Sequence, residues 1–210
     1  DQTITSSTSI PNPTPLDCLW VNQSEETDDK DYKCEIRAVV SDPADVQNNI
    51  LIKSKRIQRF LRNDTIKCEK ESEPDSRLKL VDAGSDVLIN GETFETYFPR
   101  PGDGGFPNGT YNTSRYKSCD NGNDSIFLPH DVVLIKFCQI DEPSLKFWRS
   151  LVRQFGTNGN PFAEPLNLVS NINNGLGAWT GYGAAYYKVP IIKDTVIFDM
   201  YDNLNILDIF

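Results

Sequence analysis

The sequence predicts an all-β fold with one α-helix, in which residues 1–210 form a single antiparallel β-sandwich or barrel-like domain. Two observations lead to this prediction. About nine short segments have the signature of strands, with apolar residues that alternate or run together between turn-forming residues. Only one segment has the apolar spacing of an amphipathic helix. Many short strands with a single helix are typical of a sandwich or barrel.

The strand predictions follow an extended lead-in at residues 6–19. The lead-in contains Ile-Pro-Asn-Pro-Thr-Pro at 10–15, which excludes a regular helix or a central strand because proline has no backbone N–H. Segment 131–140 is the most apolar and is predicted to be a central strand, whereas segment 49–61 is predicted to keep one face in water. In chain order, the predicted strands are 32–40, 49–61, 65–68, 78–81, 86–89, 92–97, 131–140, 184–192 and 195–199.

Two connections are predicted from turn-forming residues. Asn90-Gly91, between segments 86–89 and 92–97, predicts a tight hairpin because both central positions of such a turn need positive φ. Segment 100–124 is rich in Gly, Pro, Asn and Asp and is predicted to be a long loop or a pair of loops. Loops of this length are uncommon in compact domains unless they are functional.

The predicted helix covers residues 143–155. Asp141 or Ser144 can cap its first turn, where Pro143 is also well tolerated. Five large apolar side chains fall on one face at helical spacing and predict that this face packs on a sheet. They are Leu145, Trp148, Leu151, Val152 and Phe155.

The composition excludes several classes of function. The chain has 30 acidic and 21 basic residues, with a net charge of −9, so it lacks the basic surface that nucleic-acid binding requires. It has no apolar run near the roughly 18 residues of a spanning helix. It begins without the basic and apolar regions of a signal peptide, so we expect a mature form or part of a longer protein. The five cysteines lack a C-x-x-C pair, and Cys34 and Cys138 are predicted to be buried strand thiols.

No catalytic residue, metal site or cofactor is predicted. His130 is the only histidine, and no G-x-S-x-G motif accompanies it, so a role in anchoring a loop is favoured over catalysis. Residues 102–105 and 120–124 faintly resemble calcium loops but lack the twelve-residue pattern. With 30 acidic residues, a glycosidase pair of carboxylates stays open as an alternative.

Aromatic residues are the candidate ligand-binding residues. Several lie in or beside segment 100–124 among Asn and Gly, a composition that suits binding loops on a rigid β scaffold. The alternative is that these rings pin the long loop onto the sheet. The candidates are Phe94, Tyr97, Phe106, Tyr111, Tyr116, Trp179 and Tyr182.

The C-terminal half contains three consecutive motifs. They are Phe-Trp-Arg-Ser-Leu at 147–151, Gly-Asn-Pro-Phe-Ala-Glu-Pro at 159–165, and Val-Ser-Asn-Ile-Asn-Asn-Gly-Leu-Gly-Ala-Trp-Thr-Gly-Tyr-Gly at 169–183. This arrangement resembles the Bacteroidetes lipoproteins of "domain of unknown function 4249", whose ending has N-P-F-A-E-P followed by S-N-I-x-G-G-L-G. The chain departs from that pattern at Asn174, where the family often has glycine. Family members are usually longer, so the chain resembles their C-terminal two-thirds without the lipidated cysteine.

The resemblance implies a setting and a role. Such lipoproteins are exported to the outer membrane, lie at its cell-surface or periplasmic face, and are often encoded beside TonB-dependent transporters. The implied role is non-enzymatic capture of a ligand, such as a glycan or peptide, as an accessory to nutrient uptake. A lipid anchor outside this chain would be the membrane contact. The alternatives are a surface hydrolase of glycans or peptides and a structural or adhesive module.

Segment 171–177 predicts a sharp turn with positive φ. Gly177, Gly181 and Gly183 then allow another backbone or a ligand to approach closely. Of the two, a structural role at the helix-to-strand crossover is favoured over binding.

Overall fold

The structure is a computed structural model that describes residues 3–24, 33–64, 67–74, 78–100, 110–112, 119–120, 125–126, 132–157, 167–192 and 196–197. These residues form twelve strands and one helix. In chain order they are β1 (Cys18–Gln23), β2 (Lys33–Ser41), β3 (Asn49–Asp64), β4 (Lys67–Pro74), β5 (Lys79–Ser85), β6 (Thr93–Phe98), β7 (Tyr111–Asn112), β8 (Cys119–Asp120), β9 (Ser125–Ile126), β10 (Val132–Ile140), α1 (Glu142–Thr157), β11 (Gly183–Pro190) and β12 (Val196–Ile197).

Ten of the strands form two antiparallel sheets. Sheet I has the order β12-β1-β2-β6, and β7 also pairs with β2. Sheet II has the order β11-β10-β3-β4, and β5 also pairs with β3. The strands β8 and β9 form a separate pair. The predicted central strand 131–140 is confirmed, because β10 lies between β3 and β11.

The two sheets pack face to face around one core. Alternate residues of β2 in sheet I and of β10 in sheet II are buried in the same cluster, as the two-residue period of strands requires. The rings of Phe98 and Phe137 meet edge to face across the sheets, with centroids 6.3 Å apart. The predicted β-sandwich is therefore confirmed.

The helix forms a third layer on the outer face of sheet II. Leu145 is 4% exposed and packs in a second cluster with Leu51, Cys138 and Ile140. Asp141 caps the helix, since its carboxylate accepts the N–H of Ser144 at 3.0 Å. The helix prediction is confirmed, with bounds slightly wider than predicted. It is not long and apolar enough to cross a lipid bilayer, and it is the one helix in the described part of the chain.

The predicted strand 86–89 and its hairpin are wrong. The chain instead makes two successive turns, in which Ile89 N–H donates to the Asp86 carbonyl at 2.6 Å and Glu92 N–H to the Ile89 carbonyl at 2.9 Å. Only Gly91 has positive φ, at 79°, so this is not the hairpin turn. The physical reason is that β5 belongs to sheet II and β6 to sheet I, so the turns carry the chain between sheets. The buried Asp86 carboxylate accepts the N–H of Asn48 there.

Two further predictions need correction. Segment 49–61 was expected to have one face in water, but 51–55 are buried on both faces apart from the half-buried Lys53, because sheet I covers one side and the helix the other. Segment 100–124 is not one continuous loop, because it contains strand residues at 111–112 and 119–120. Its remaining residues after Arg100 lie outside the described residues, except Thr110. Of the predicted strand 65–68, residues 67 and 68 belong to β4, and residues 65 and 66 also lie outside the described residues.

Candidate functional site

The outer face of sheet I carries a row of three large side chains from neighbouring strands. Arg37 of β2 lies directly opposite Trp20 of β1 on one side and Tyr97 of β6 on the other. Because Ile36 and Phe98 point into the core, the adjacent positions point outward. We call Trp20, Arg37 and Tyr97 the arginine row.

Two glutamates hold the guanidinium of Arg37. Its Nε and Nη2 donate to Glu35 Oε2 at 3.1 and 2.9 Å, and its Nη1 donates to Glu95 Oε1 at 2.8 Å. The hydrogen bonds to Glu95 and Glu35 raise the pKa of Arg37 above its usual value. Together with Thr96 and Tyr97, these residues line an open depression of about 560 Å³. The site is thus a fixed, charge-paired surface that water can reach.

The outer face of sheet II carries two lysines directly opposite each other, Lys53 on β3 and Lys136 on β10. We call them the lysine pair. Lys53 Nζ lies 4.1 Å from the ring centroid of Trp148 and 5.4 Å from that of Tyr182. Lys136 Nζ lies 4.3 Å from the Tyr182 centroid and 5.6 Å from that of Tyr186. Both ammonium groups are therefore held against the ring of Tyr182 by cation–π contacts.

Burial dominates the electrostatics of this region. It lowers the pKa of Lys53, and the positive charge of Lys136 lowers it further. Burial also raises the pKa of the Cys138 thiol to about 11, so this thiol is neutral and unreactive at neutral pH. The prediction of buried strand thiols is confirmed, since Cys34 is 1% and Cys138 0% exposed.

The motif at 169–183 forms a turn closed by its own side chains. The hydroxyl of Ser170 donates to the Gly175 carbonyl at 3.0 Å and accepts the Ile172 N–H at 3.1 Å. The side chain of Asn171 makes two hydrogen bonds to the backbone of Trp179, each 2.8 Å long. Side chains thus add to the backbone hydrogen bonds of this irregular segment, such as that from Asn171 N–H to the Gly177 carbonyl at 3.3 Å.

The predicted positive φ of this turn is confirmed. Asn174 has φ 59° and Gly177 has φ 121°. Asn174 occupies the position where the resembled family often has glycine, and asparagine is the residue that tolerates left-handed geometry best after glycine. The departure from the motif therefore leaves the turn intact.

The turn and the start of β11 hold residues 3–16, which we call the N-terminal strap. Gly181 N–H donates to Thr8 Oγ1 at 3.0 Å, and Asn173 N–H to the Thr5 carbonyl at 2.8 Å. At Gly183, an added Cβ would lie 2.0 Å from the carbonyl oxygen of Pro11. The prediction that another backbone approaches closely is therefore confirmed for Gly181 and Gly183, and that backbone is the strap. It is wrong for Gly177, whose added Cβ would meet only the side chain of Ile172, at 3.6 Å.

Asp141 joins the strap to the helix. Besides capping the helix, its carboxylate accepts the hydroxyl of Thr8 at 2.8 Å and the N–H of Ser9 at 3.0 Å. Burial alone would raise the pKa of Asp141, but these hydrogen bonds and those from Ser144 outweigh it and lower the pKa.

The structure separates the predicted ligand-binding aromatics. Tyr97 lies on the outer face of sheet I and is 39% exposed, whereas Tyr182 lies beside the lysine pair on sheet II. Trp179 is 63% exposed on the 169–183 turn. They do not form one binding loop.

Two candidates are at the core instead. Tyr111 is 1% exposed, so its ring belongs to the core, and burial raises the pKa of its hydroxyl. Phe94 is half-buried and packs against the same core. Both follow the alternative in which the rings pin the segment onto the sheet. Phe106, Tyr116 and His130 lie outside the described residues.

Sequence reasoning missed most of the charged partners. Strand alternation places Lys53 and Lys136 on the outer faces of their strands, but the sequence gives no register to show that they face each other. The same holds for Trp20 and Arg37, which are 17 positions apart in the chain. Only Tyr97 among the arginine row was a candidate.

No metal site is found in the ranges described. There, no group of three or more histidine, cysteine, aspartate or glutamate side chains could hold an ion. The loop at 102–105 lies outside those ranges, as does the loop at 120–124 apart from Asp120.

These features define a β-sandwich whose second sheet is covered by one helix, with a cluster of aromatic and charged side chains on each outer face. Residues 1–187 match the model of the family described as "Domain of unknown function (DUF4249)". The chain belongs to this family, and the resemblance of its C-terminal motifs is confirmed. No curated protein and no solved structure matches the chain.

Proposed function

We propose that this chain is a non-enzymatic ligand-capture domain of a cell-surface lipoprotein, and that the arginine row binds a glycan. The observation that supports the proposal is the row itself, in which two aromatic rings flank a guanidinium fixed by two carboxylates beside an open depression. Binding sites combine apolar rings with a few fixed polar groups in this way.

A glycan matches both the aromatic rings and the fixed polar groups of this site. One face of a pyranose ring presents C–H groups that can pack on the ring of Tyr97, which lines the depression, and a second sugar unit can reach Trp20 two strands away. Its hydroxyl groups can donate to the carboxylates of Glu35 and Glu95 and accept from Arg37. Because three hydrogen bonds already hold Arg37, little side-chain entropy is lost on binding.

The wider setting follows from the family. The resemblance described above implies an outer-membrane lipoprotein of Bacteroidetes that works beside a TonB-dependent transporter. We propose that the full-length protein is lipid-anchored there and delivers the captured glycan to that transporter.

The glycan proposal is tested by screening the purified chain against immobilised glycans and peptides. We expect a glycan hit whose affinity falls about tenfold or more in Tyr97→Ala and in Arg37→Met. Leu176→Ala is the control, because it removes a large apolar side chain that is 93% exposed and lies outside both candidate sites. Equal loss in Tyr97→Ala and Leu176→Ala, or hits on peptides alone, would contradict the proposal. Cleavage of the bound glycan would favour the hydrolase instead.

The accessory role has a separate test. The full-length protein is isolated from native outer membranes, and co-purified proteins are identified by mass spectrometry. We expect a TonB-dependent transporter. Recovery of the lipoprotein alone, from membranes where the transporter is abundant, would argue for an independent adhesin or enzyme.

A further inference from the structure

The lysine pair lies at the centre of the outer face of sheet II, away from the arginine row. Tyr186, Lys136 and Lys53 are consecutive partners across β11, β10 and β3. Trp148 of the helix and Tyr182 border the same spot. Two positive charges are thus surrounded by three aromatic rings.

Like charges directly opposite each other on a sheet are destabilising. Here the repulsion acts at a partly buried site, since burial and the charge of Lys136 both lower the pKa of Lys53. In the part of the chain that the structure describes, no carboxylate forms an ion pair with either ammonium group. Yet the whole chain has a net charge of −9, so acidic residues are plentiful elsewhere.

The rings orient the two charges without neutralising them. Cation–π contacts fix both ammonium groups around Tyr182, at 5.4 Å for Lys53 and 4.3 Å for Lys136. Each ammonium nevertheless has three donors and no acceptor, so it can still donate to an oxyanion. The arrangement therefore has a fixed pair of donors and walls of flat apolar surface, and among the described residues no carboxylate is paired with either donor.

We infer that the lysine pair is a binding site for an oxyanion group carried on a small ring-shaped ligand. A carboxylate or a sulfate ester would accept hydrogen bonds from both ammonium groups and offset their repulsion, and the ligand ring would pack against Trp148, Tyr182 and Tyr186. This site is separate from the arginine row and does not depend on the glycan proposal.

The test is isothermal titration calorimetry of the full 210-residue chain with glucuronate, glucose 6-sulfate and glucose at low ionic strength. Glucuronate and glucose 6-sulfate distinguish a carboxylate from a sulfate, and glucose is the uncharged control. We expect at least one of the two anions to bind, and glucose to bind at least about tenfold more weakly than that anion. The same titrations are made with Tyr97→Ala, because glucose could also bind at the arginine row. Failure of both anions to bind, or glucose binding as tightly as the anion in Tyr97→Ala, overturns the inference.

Variants locate the site. Lys53→Met with Lys136→Met removes both charges and keeps the apolar stems, and we expect it to weaken anion binding by about tenfold or more. Lys146→Met with Arg149→Met is the control for net charge, since it also removes two positive charges, both on the exposed helix surface, and it should bind like the parent chain. Unchanged binding in the Lys53 and Lys136 double variant, or equal loss in this control, places the anion elsewhere and overturns the inference. Thermal unfolding confirms that each variant is folded.

Discussion

The outer faces of the two sheets both place cations beside aromatic rings, but they differ in how those cations are paired. On sheet I, Arg37 lies between two aromatic side chains and is bonded to Glu35 and Glu95. On sheet II, Lys53 and Lys136 also lie among aromatic rings, but among the described residues no carboxylate forms an ion pair with them. One face is charge-paired and open to water, whereas the other is partly covered by a helix and holds an unbalanced positive charge.

The difference shows what each face contributes to the domain. A paired charge on an exposed strand contributes little to stability, about 0–1 kcal/mol, so the arginine row is available for binding without affecting the fold. The outer face of sheet II is part of the second core, because the helix packs there. Substitutions on sheet II should therefore change the free energy of unfolding more than those on sheet I.

The largest expected effect is at the edge of sheet II. Gly183→Ala would place a Cβ 2.0 Å from the Pro11 carbonyl oxygen, so the strap must move away from β11. We expect the free energy of unfolding to fall by about 3 kcal/mol, measured by urea denaturation. Gly84→Ala is the control, because nothing lies within 4 Å of its added Cβ. A similar small loss in both variants would show that the strap is not closely packed.

A smaller effect is expected when the helix-covered face of sheet II is compared with the open face of sheet I, in the free energy of unfolding lost on removing one side chain from each. Leu145→Ala empties a position that is 4% exposed on the inner face of the helix, and it should cost about 2 kcal/mol. Tyr97→Ala, on the open face of sheet I, should cost about 1 kcal/mol or less, since the side chain is 39% exposed. Equal losses in the same denaturation experiment would remove the distinction between the faces.

Removing the charge of Lys53 and removing that of Arg37 should change the free energy of unfolding in opposite directions. Lys53→Met removes a repulsion between facing charges, and its thioether can keep the contact with Trp148, so we expect a gain of about 0.5–1 kcal/mol. Arg37→Met breaks exposed ion pairs and should lose about 0.5 kcal/mol. Thermal unfolding of both variants at neutral pH measures the two signs, and a loss in Lys53→Met would contradict the view that its charge is unbalanced.

The smallest effect concerns pH. The pKa of Lys53 is lowered in the folded state, so between that pKa and the usual lysine value the unfolded chain binds more protons. The contribution of Lys53 to stability must therefore rise with pH across that window. Because the raised pKa of Cys138 acts in the opposite direction, the quantity to measure is the difference between the parent chain and Lys53→Met. A difference independent of alkaline pH would contradict the burial of this charge.

Much of the fold could be predicted because the decisive signals are local. Burial of β10 follows from its apolar run, and burial of the inner helix face follows from the spacing of Leu145 and Trp148. Both patterns can be read from the sequence alone. The prediction of a strand at 86–89 was wrong because the local pattern is strand-like, whereas the buried carboxylate of Asp86 and the crossing between sheets impose turns. The local sequence pattern contains no information about such tertiary requirements.

The candidate sites could be predicted less well, because both depend on register. Whether Lys53 faces Lys136, or Arg37 faces Tyr97, is decided by pairing between strands far apart in the chain. The glycines at 181 and 183 were recognised as points of close approach, but their partner lies about 170 positions upstream.

The strap has a mechanical consequence. It is tied at successive points, including Thr5 to Asn173, Thr8 to Gly181 and Leu16 to Tyr187. Tension applied at its outer end would be met first by the hydrogen bonds to the 169–183 turn, while the bonds nearer β1 stay unloaded until those give way. The outer part of the strap would thus detach stepwise, starting from the outer end, before any force reached Leu16 and the core of the sandwich.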